Sequence, residues 1–287
     1  MPSENTSTGH DAMVHTYASP GVGSVNTHWI ESPTGIVVID AQRLISQARA
    51  ALEEMKKTGK PVEAVILTHA HPDHIGGVRA FSDAFPSAPI FASAATMESI
   101  RLDEGGLLAL GKYWLGDDFE IVMPNRVLAD QETLTLAGLT LETSQVGPGE
   151  ASAMDVVYLP ATGDLFAADV VFNGMTPFLA ERRTALWLDQ IDRLADAFSD
   201  ARRIYPGHGA PAAPDVLIRG AREYLGRIRE LVADSQRGNA ELTPEIRSAI
   251  VSEVERAYPG YIPVAAIPDV IGLNVEGVWL EMRRNPS

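Results

Sequence analysis

Val62-Glu63-Ala64-Val65-Ile66-Leu67-Thr68-His69-Ala70-His71-Pro72-Asp73-His74 runs from a short apolar, β-branched stretch directly into three histidines and an aspartate. Ile75, Val78, Phe81 and Phe85 then recur at helical spacing. The reading is a buried strand over Val62 to Thr68, a loop carrying the cluster, and a helix after it. In α/β folds ligands collect at such strand ends, so this segment sets both the architecture and the place to look for chemistry.

The cluster offers three imidazoles and a carboxylate within six positions, a donor set that suits zinc, iron or manganese. Residues two apart on an extended loop face the same way. His69 and His71 can therefore chelate one ion, while Asp73 and His74, beyond Pro72, turn to a second about 3.5 to 4 Å away. The chain has seven histidines and no cysteine, so thiolate metal sites, disulfides and cysteine nucleophiles are excluded.

Outward from the cluster, Gly35 to Asp40 reads as a strand paired with Val25 to Ile30 through a Ser32-Pro33-Thr34-Gly35 turn. Leu44 to Met55 has helical spacing and stops at Gly59-Lys60-Pro61. Pro89 to Ala92 reads as a strand, Ala94 to Leu102 as a helix, and Leu107 to Leu115 as a helix near the site entrance. From Val127 to Phe172 the pattern is one of strands: Thr133 to Leu136, Leu139 to Val146, Asp155 to Leu159 and Leu165 to Val171. Leu186 to Phe198 is an amphipathic helix, and Arg203-Ile204-Tyr205 is a strand leading into Pro206-Gly207-His208-Gly209. Beyond Pro214 the chain reads as helical to the end, with an irregular connector from Tyr258 to Pro268.

With 287 residues, 45% of them hydrophobic, the chain can bury the core of one large α/β domain. Lysine and arginine total 23 against 38 aspartate and glutamate, a net charge of −15 that disfavours nucleic acids and anionic membranes as partners. No run approaches the roughly 18 apolar residues of a membrane span, and the first residues lack a signal pattern, so the expectation is a soluble, cytoplasmic protein.

His69-x-His71-x-Asp73-His74 after a buried strand, followed in order by Asp169 at a strand end and His208 between glycines, resembles the metallo-β-lactamase superfamily over roughly residues 13 to 210. The resemblance implies a four-layer αβ/βα sandwich with a helical C-terminal extension: residues 1–12 a flexible N-terminus, 13–214 the metallo-β-lactamase-like domain, 215–287 the helices packed upon it. It also implies two divalent ions, zinc first with iron or manganese as alternatives. The ligands would be His69, His71, Asp73, His74, Glu150, Asp169 and His208, with Asp169 bridging. The sequence departs from the family at Glu150, which stands in Gly147-Pro148-Gly149-Glu150 where a histidine is expected. His10, His15 and His28 come too early to replace it. A carboxylate there cancels more metal charge than imidazole and shifts preference toward iron or manganese. Asp40 resembles a position that supports a metal-binding histidine. Asp155 is expected to face solvent or pair locally, and Tyr205 and Asn173 are candidate oxyanion donors beside core and loop roles.

The function expected is hydrolysis of a small ester, lactone, thioester or lactam, leaning to lactone or ester, by metal-bound hydroxide that Asp73 or Asp169 orients. The alternatives are a mononuclear non-haem iron dioxygenase of the persulfide dioxygenase type, using two histidines and a carboxylate, and a non-catalytic metal-binding member. The expected partner is a small-molecule substrate. Tyr258, Tyr261 and Trp279 in the C-terminal helices serve core packing, a pocket cap or a homodimer contact.

Overall fold

The computed structural model describes residues 12–284. All of the expected flexible N-terminus except Ala12 lies outside the described residues, as does His10. The first half runs β1 (Met13–Ala18), β2 (Asn26–Glu31), β3 (Ile36–Ile39), α1 (Ile45–Lys56), β4 (Val62–Ile66), α2 (Pro72–Ile75), α3 (Val78–Ala84), β5 (Ile90–Ser93), α4 (Ala94–Leu102), α5 (Leu107–Leu115) and β6 (Arg126–Leu128). Its six strands form one sheet in sequence order. β1, β2 and β3 pair antiparallel, and β3 to β6 are parallel, as the intervening helices require.

The second half runs β7 (Glu132–Leu136), β8 (Leu139–Gln145), β9 (Asp155–Leu159), β10 (Asp164–Ala168), β11 (Met175–Thr176), α6 (Thr184–Ala197), β12 (Arg203–Pro206), α7 (Pro214–Gln236), α8 (Pro244–Ala257), β13 (Ile262–Pro263) and α9 (Val270–Arg284). β12, β10, β9, β8 and β7 make the second sheet, and β11 pairs with β13 in a small ribbon. The strand expected to reach Val171 ends at Ala168, whose positive φ of 45° turns the chain. Beyond Pro214 the described residues are helical in α7, α8 and α9, and within the expected Tyr258 to Pro268 connector β13 is held as strand beside Met175–Thr176, with Val264 N–H donating to the Thr176 carbonyl.

Side-chain parity builds the layers. Val37, Ile39, Ala64 and Ile66 of the first sheet meet Leu139, Leu141, Val157, Leu159 and Phe166 of the second in a central core. The alternate residues Ile36, Val38, Val65 and Leu67 pack outward against Ala48, Leu52 and Met55 of α1 and Val78 and Phe81 of α3. Val156, Tyr158 and Leu165 pack the other way, against Ile191 of α6, Leu225 of α7 and Val278 of α9. Because both faces of each sheet are covered, the central strands read as continuous apolar runs rather than alternating ones. The result is the four-layer αβ/βα sandwich, with the C-terminal helices sharing the second sheet's outer core. No helix among the described residues is long and apolar enough to cross a membrane.

One side chain sits differently from expectation, and Tyr205 takes the core role of its two expected ones. Asp155 is buried, because it opens a strand covered on both faces, and its Oδ2 accepts the Ser93 N–H at 3.1 Å and the Thr96 hydroxyl at 3.0 Å. It thereby stabilises the start of α4, where helix N–H groups lack partners. Tyr205 is a core residue of the central layer, stacked on Phe166 with centroids 4.8 Å apart, so it offers no oxyanion donor.

Candidate metal centre

The ligand-type residues reach one point from five strand ends and loops. β4 delivers His69 and His71. Pro72 then starts α2, its fixed φ suited to the first helical position, and the short turn swings Asp73 and His74 inward. Glu150 comes from the loop between β8 and β9, Asp169 from the turn after β10, and His208 from the residue pair after β12. Gly207 is required by close approach: a Cβ there would fall on Asp169 Oδ1 and lie 2.7 Å from His74 Cε1.

Two half-sites share Asp169. In the first, His71 Nδ1 lies 3.1 Å from Glu150 Oε1, and His69 Nε2 lies 3.8 Å from Glu150 Oε2 and 3.9 Å from Asp169 Oδ2. In the second, His208 Nε2 is 3.2 Å from both Asp73 Oδ2 and Asp169 Oδ2, and His74 Nε2 is 3.3 Å from Asp169 Oδ1. His69 and His74 are fully buried, whereas the His71 and Asp73 side chains are 12% and 18% exposed and mark the opening.

The hydrogen bonds behind the imidazoles decide which ring nitrogens face inward. Asp40 accepts the Thr68 hydroxyl at 2.9 Å and His74 Nδ1–H at 2.7 Å. Since the single Thr68 hydroxyl proton goes to Asp40, His69 Nδ1–H is the donor to Thr68 Oγ1, at 2.9 Å. His208 Nδ1–H donates to the Ser24 carbonyl at 2.5 Å, and His71 Nε2–H to Glu181 Oε1 at 2.6 Å. Nε2 of His69, His74 and His208 and Nδ1 of His71 are thereby left facing one another. Such outer carboxylates and carbonyls orient imidazoles that bind metals.

Within these seven residues five buried atoms have no hydrogen-bond partner among the described residues: Nε2 of His69, His74 and His208, Oε2 of Glu150 and Oδ1 of Asp169. Orphaned buried polar atoms cost about 1–3 kcal/mol each, and a convergent set of nitrogen and oxygen donors is what a divalent cation satisfies. The charge balance agrees. Burial pulls His71, His74 and His208 down, but Glu150 and Glu181 around His71, and Asp169 and its carboxylate neighbours around the other two, outweigh it and draw all three up, His208 to about 10. His69 is lowered by burial and by His74 and His71. Asp169 stays ionised despite burial because His208 and His74 face it, while burial raises Glu150 to about 6 against His71. The centre demands positive charge, and cations are the alternative to protons. The residues present therefore fit bound divalent metal.

All seven residues expected at the centre are brought to it, and Asp40 orients His74 as expected. Asn173 is not aimed at it; its amide donates to the Ala210 carbonyl. Sequence reading missed four participants. Glu181 accepts from His71, and Arg183 pairs with Glu181 while donating to the carbonyls of Gly149 and Glu150, both at 3.1 Å. Gln190 accepts the Glu150 N–H at 3.0 Å, and the Asn26 amide donates to the carbonyls of Pro206 and Gly209 at either side of His208. Hydrophilic neighbours such as Glu181-Arg182-Arg183 gave no signal beyond a charged loop.

Beside Glu150, Asp169 and His208 lies a slot walled by Phe172, Pro177, Phe178, Trp187 and Val264. A larger cavity of about 480 Å³ between α4, α5 and residues 119–123 contains none of these seven residues.

Comparison with known proteins matches residues 20–208 to the Metallo-beta-lactamase superfamily. The chain is 26% identical over 257 residues to a linear primary-alkylsulfatase from Pseudomonas sp., covering 75% of this chain and 48% of that protein. It is 27% identical over 161 residues to a hydroxyacylglutathione hydrolase from Synechococcus sp., covering 56% of this chain and 55% of the other. The chain thus spans about half the length of these curated relatives. Among solved structures, a metallo-beta-lactamase family protein from Thermus thermophilus superposes with a TM-score of 0.68 at 22% identity, over 96% of this chain and 93% of that one. With its family match extending over residues 20–208 and the same fold beneath it, the chain belongs to the metallo-β-lactamase superfamily.

Proposed function

We propose that the protein is a metal-dependent hydrolase that cleaves a neutral carboxylic ester or lactone with a small apolar group. The observation that carries this reading is the convergence of five unpartnered buried donor atoms beside an apolar slot. Two divalent ions, zinc or, with a carboxylate at position 150, iron or manganese, would be held by His69, His71 and Glu150 on one side and Asp73, His74 and His208 on the other, with Asp169 between. Bound there, they supply Lewis acidity and an acidified water.

The chain's own residues do the rest. Asp73 at the opening and Asp169 between the half-sites accept hydrogen bonds from the attacking water and orient it. Phe172, Phe178 and Trp187 wall the narrow slot beside the centre and exclude bulk water from that side. With Asp40, Asp73, Glu150, Asp169 and Glu181 gathered here, a neutral ester enters at lower electrostatic cost than an anionic one.

One observation favours a second reading, hydrolysis of a sulfate ester, in keeping with the alkylsulfatase relative. Arg43 makes no ion pair or hydrogen bond among the described residues, and its Cζ lies 3.3 Å from where a Cβ of Gly23 would be, next to Ser24, whose carbonyl holds His208. An anionic headgroup would find its counter-charge there.

The test is a substrate panel on zinc-loaded protein: p-nitrophenyl butyrate, a γ-lactone and hexyl sulfate. Turnover of the first two, falling at least about 100-fold in Asp73→Asn, supports the proposal. Turnover of hexyl sulfate alone, lost in Arg43→Ala, moves the assignment to the sulfate ester. Oxygen uptake by protein loaded instead with a single ferrous ion, and no ester cleavage by either form, would sink both and favour the dioxygenase alternative.

A further inference from the structure

Residues 177–185 run beside the first half-site and touch both His71 and the backbone that carries Glu150. Glu181 receives His71 Nε2–H at 2.6 Å and is ion-paired to Arg183. The Arg183 guanidinium in turn holds the two successive carbonyls of Gly149 and Glu150. One bonded path therefore joins His71, from the β4 end, to the backbone that carries Glu150, from a loop on the other sheet. The second half-site, Asp73, His74 and His208, has no hydrogen bond to this path among the described residues; its support comes from Asp40 and Ser24.

The segment is itself fixed from the C-terminal helix. Asn274 donates to the Pro177 carbonyl at 2.7 Å and accepts the Leu179 N–H at 2.7 Å, both buried. Glu281, seven residues on and so on the same face of α9, accepts the N–H groups of Thr184 and Ala185 at 2.9 Å each, satisfying the open end of α6. Between them a Cβ at Gly277 would lie 2.7 Å from the Leu179 carbonyl oxygen, so the helix seats directly on the segment. Anchored at both ends, the strap has little freedom to withdraw Glu181 and Arg183.

We propose that Glu181 and Arg183 are positioning residues that bring His71 and Glu150 into register and so set the affinity of the first half-site alone. The inference rests on the proposed function only in taking that half-site to bind a metal ion. A guanidinium suits the role because its fork reaches two carbonyls and a carboxylate at once, which an ammonium cannot. Glu181 suits it because an acceptor on Nε2–H fixes the tautomer that aims Nδ1 of His71 at Glu150.

The experiment is chelator competition with Zn²⁺ on the full chain, followed in two binding steps; Asp73→Asn, which removes a ligand of the other half-site, assigns which step is which. In Glu181→Ala and Arg183→Ala the first-half-site step weakens about 10–100-fold while the second is unchanged. Glu181→Gln, whose amide oxygen still accepts from His71, recovers most of the loss. Equal weakening of both steps would show a general structural role and overturn the proposal. Zinc binding as in the wild type would overturn it too. If Glu181→Ala does not fold, Glu181→Gln and Arg183→Lys carry the test, with Arg183→Lys expected to lose more than Glu181→Gln. Because zinc binding is read without substrate, a failed ester assay leaves this result standing.

Discussion

The carboxylate of Asp40 lies 2.7 Å from His74 Nδ1 and, through the Thr68 hydroxyl, also governs His69, so one buried acid at the end of β3 fixes two imidazoles in different half-sites. Asp40 holds φ at 60°, in the left-handed region that costs a non-glycine residue about 1 kcal/mol or more, and its N–H donates to the Ile66 carbonyl. Asp40→Ala is expected to weaken zinc binding about 10–100-fold in both steps. Thr68→Ala, which cuts only the relay to His69, is expected to weaken the first step alone. Stepwise zinc titration separates the two.

Glu150 stands where the family resemblance leads to a histidine, and its placement 3.1 Å from His71 Nδ1 supports the proposal that it is a ligand of the first half-site. Metal content per chain should fall from two ions toward one in Glu150→Ala. Glu150→His should keep two and raise the preference for zinc over manganese, since imidazole is the softer donor. Two ions in Glu150→Ala, measured by plasma mass spectrometry, would remove Glu150 from the ligand set.

Gly207 is held by contact rather than by φ. Gly207→Ala places a methyl on Asp169 Oδ1 and against the His74 ring. The expected result is loss of at least one ion per chain with a circular dichroism spectrum like the wild type's, because the clash lies at the centre and not in either core.

Two buried groups outside the centre give opposing acid responses. Burial lowers His28 to about 4, so between pH 6.5 and 4 the unfolded state binds the extra proton and stability falls with pH. Burial raises Asp155 to about 6, so between pH 6 and 4 the folded state binds it and stability rises as pH falls. Each effect is on the order of 3 kcal/mol and they largely cancel. Asp155→Asn removes the compensation. Its Tm should drop more steeply than the wild type's from pH 6.5 to 4.5, and match or exceed it at pH 8; parallel curves would refute the assignment.

Asn274→Ala leaves the Leu179 N–H and Pro177 carbonyl unpaired and is expected to cost about 2 kcal/mol in urea unfolding. If α9 holds the strap, the variant also weakens the first zinc step, whereas Asn239→Ala, at an exposed position just past the end of α7, does neither.

Much of this centre was legible in the chain, because its densest part is local. His69, His71, Asp73 and His74 sit within one strand-to-helix passage, and the parity of Val62 to Leu67 implies a strand covered on both faces. Asp169 and His208 could be placed because each ends a short apolar strand. Their ligand reading rested on order along the chain, and Asp40's support of a histidine on resemblance. What the sequence could not carry is proximity between segments without a pattern. Glu181 and His71 are 110 residues apart, and Glu281 and Thr184 are 97 apart. Asp155 reads as a polar strand opening, and only the packing of α4 over it shows that it is buried against Ser93 and Thr96. Local periodicity and donor type determined the strands, the helices and a nitrogen-and-oxygen donor set suited to a metal, since these depend on neighbours a few positions away, while the layers followed from resemblance. The tautomers, the clamp on Glu150 and the apolar slot were decided by tertiary structure alone, because each depends on hydrogen bonds and contacts made across loops from different sheets.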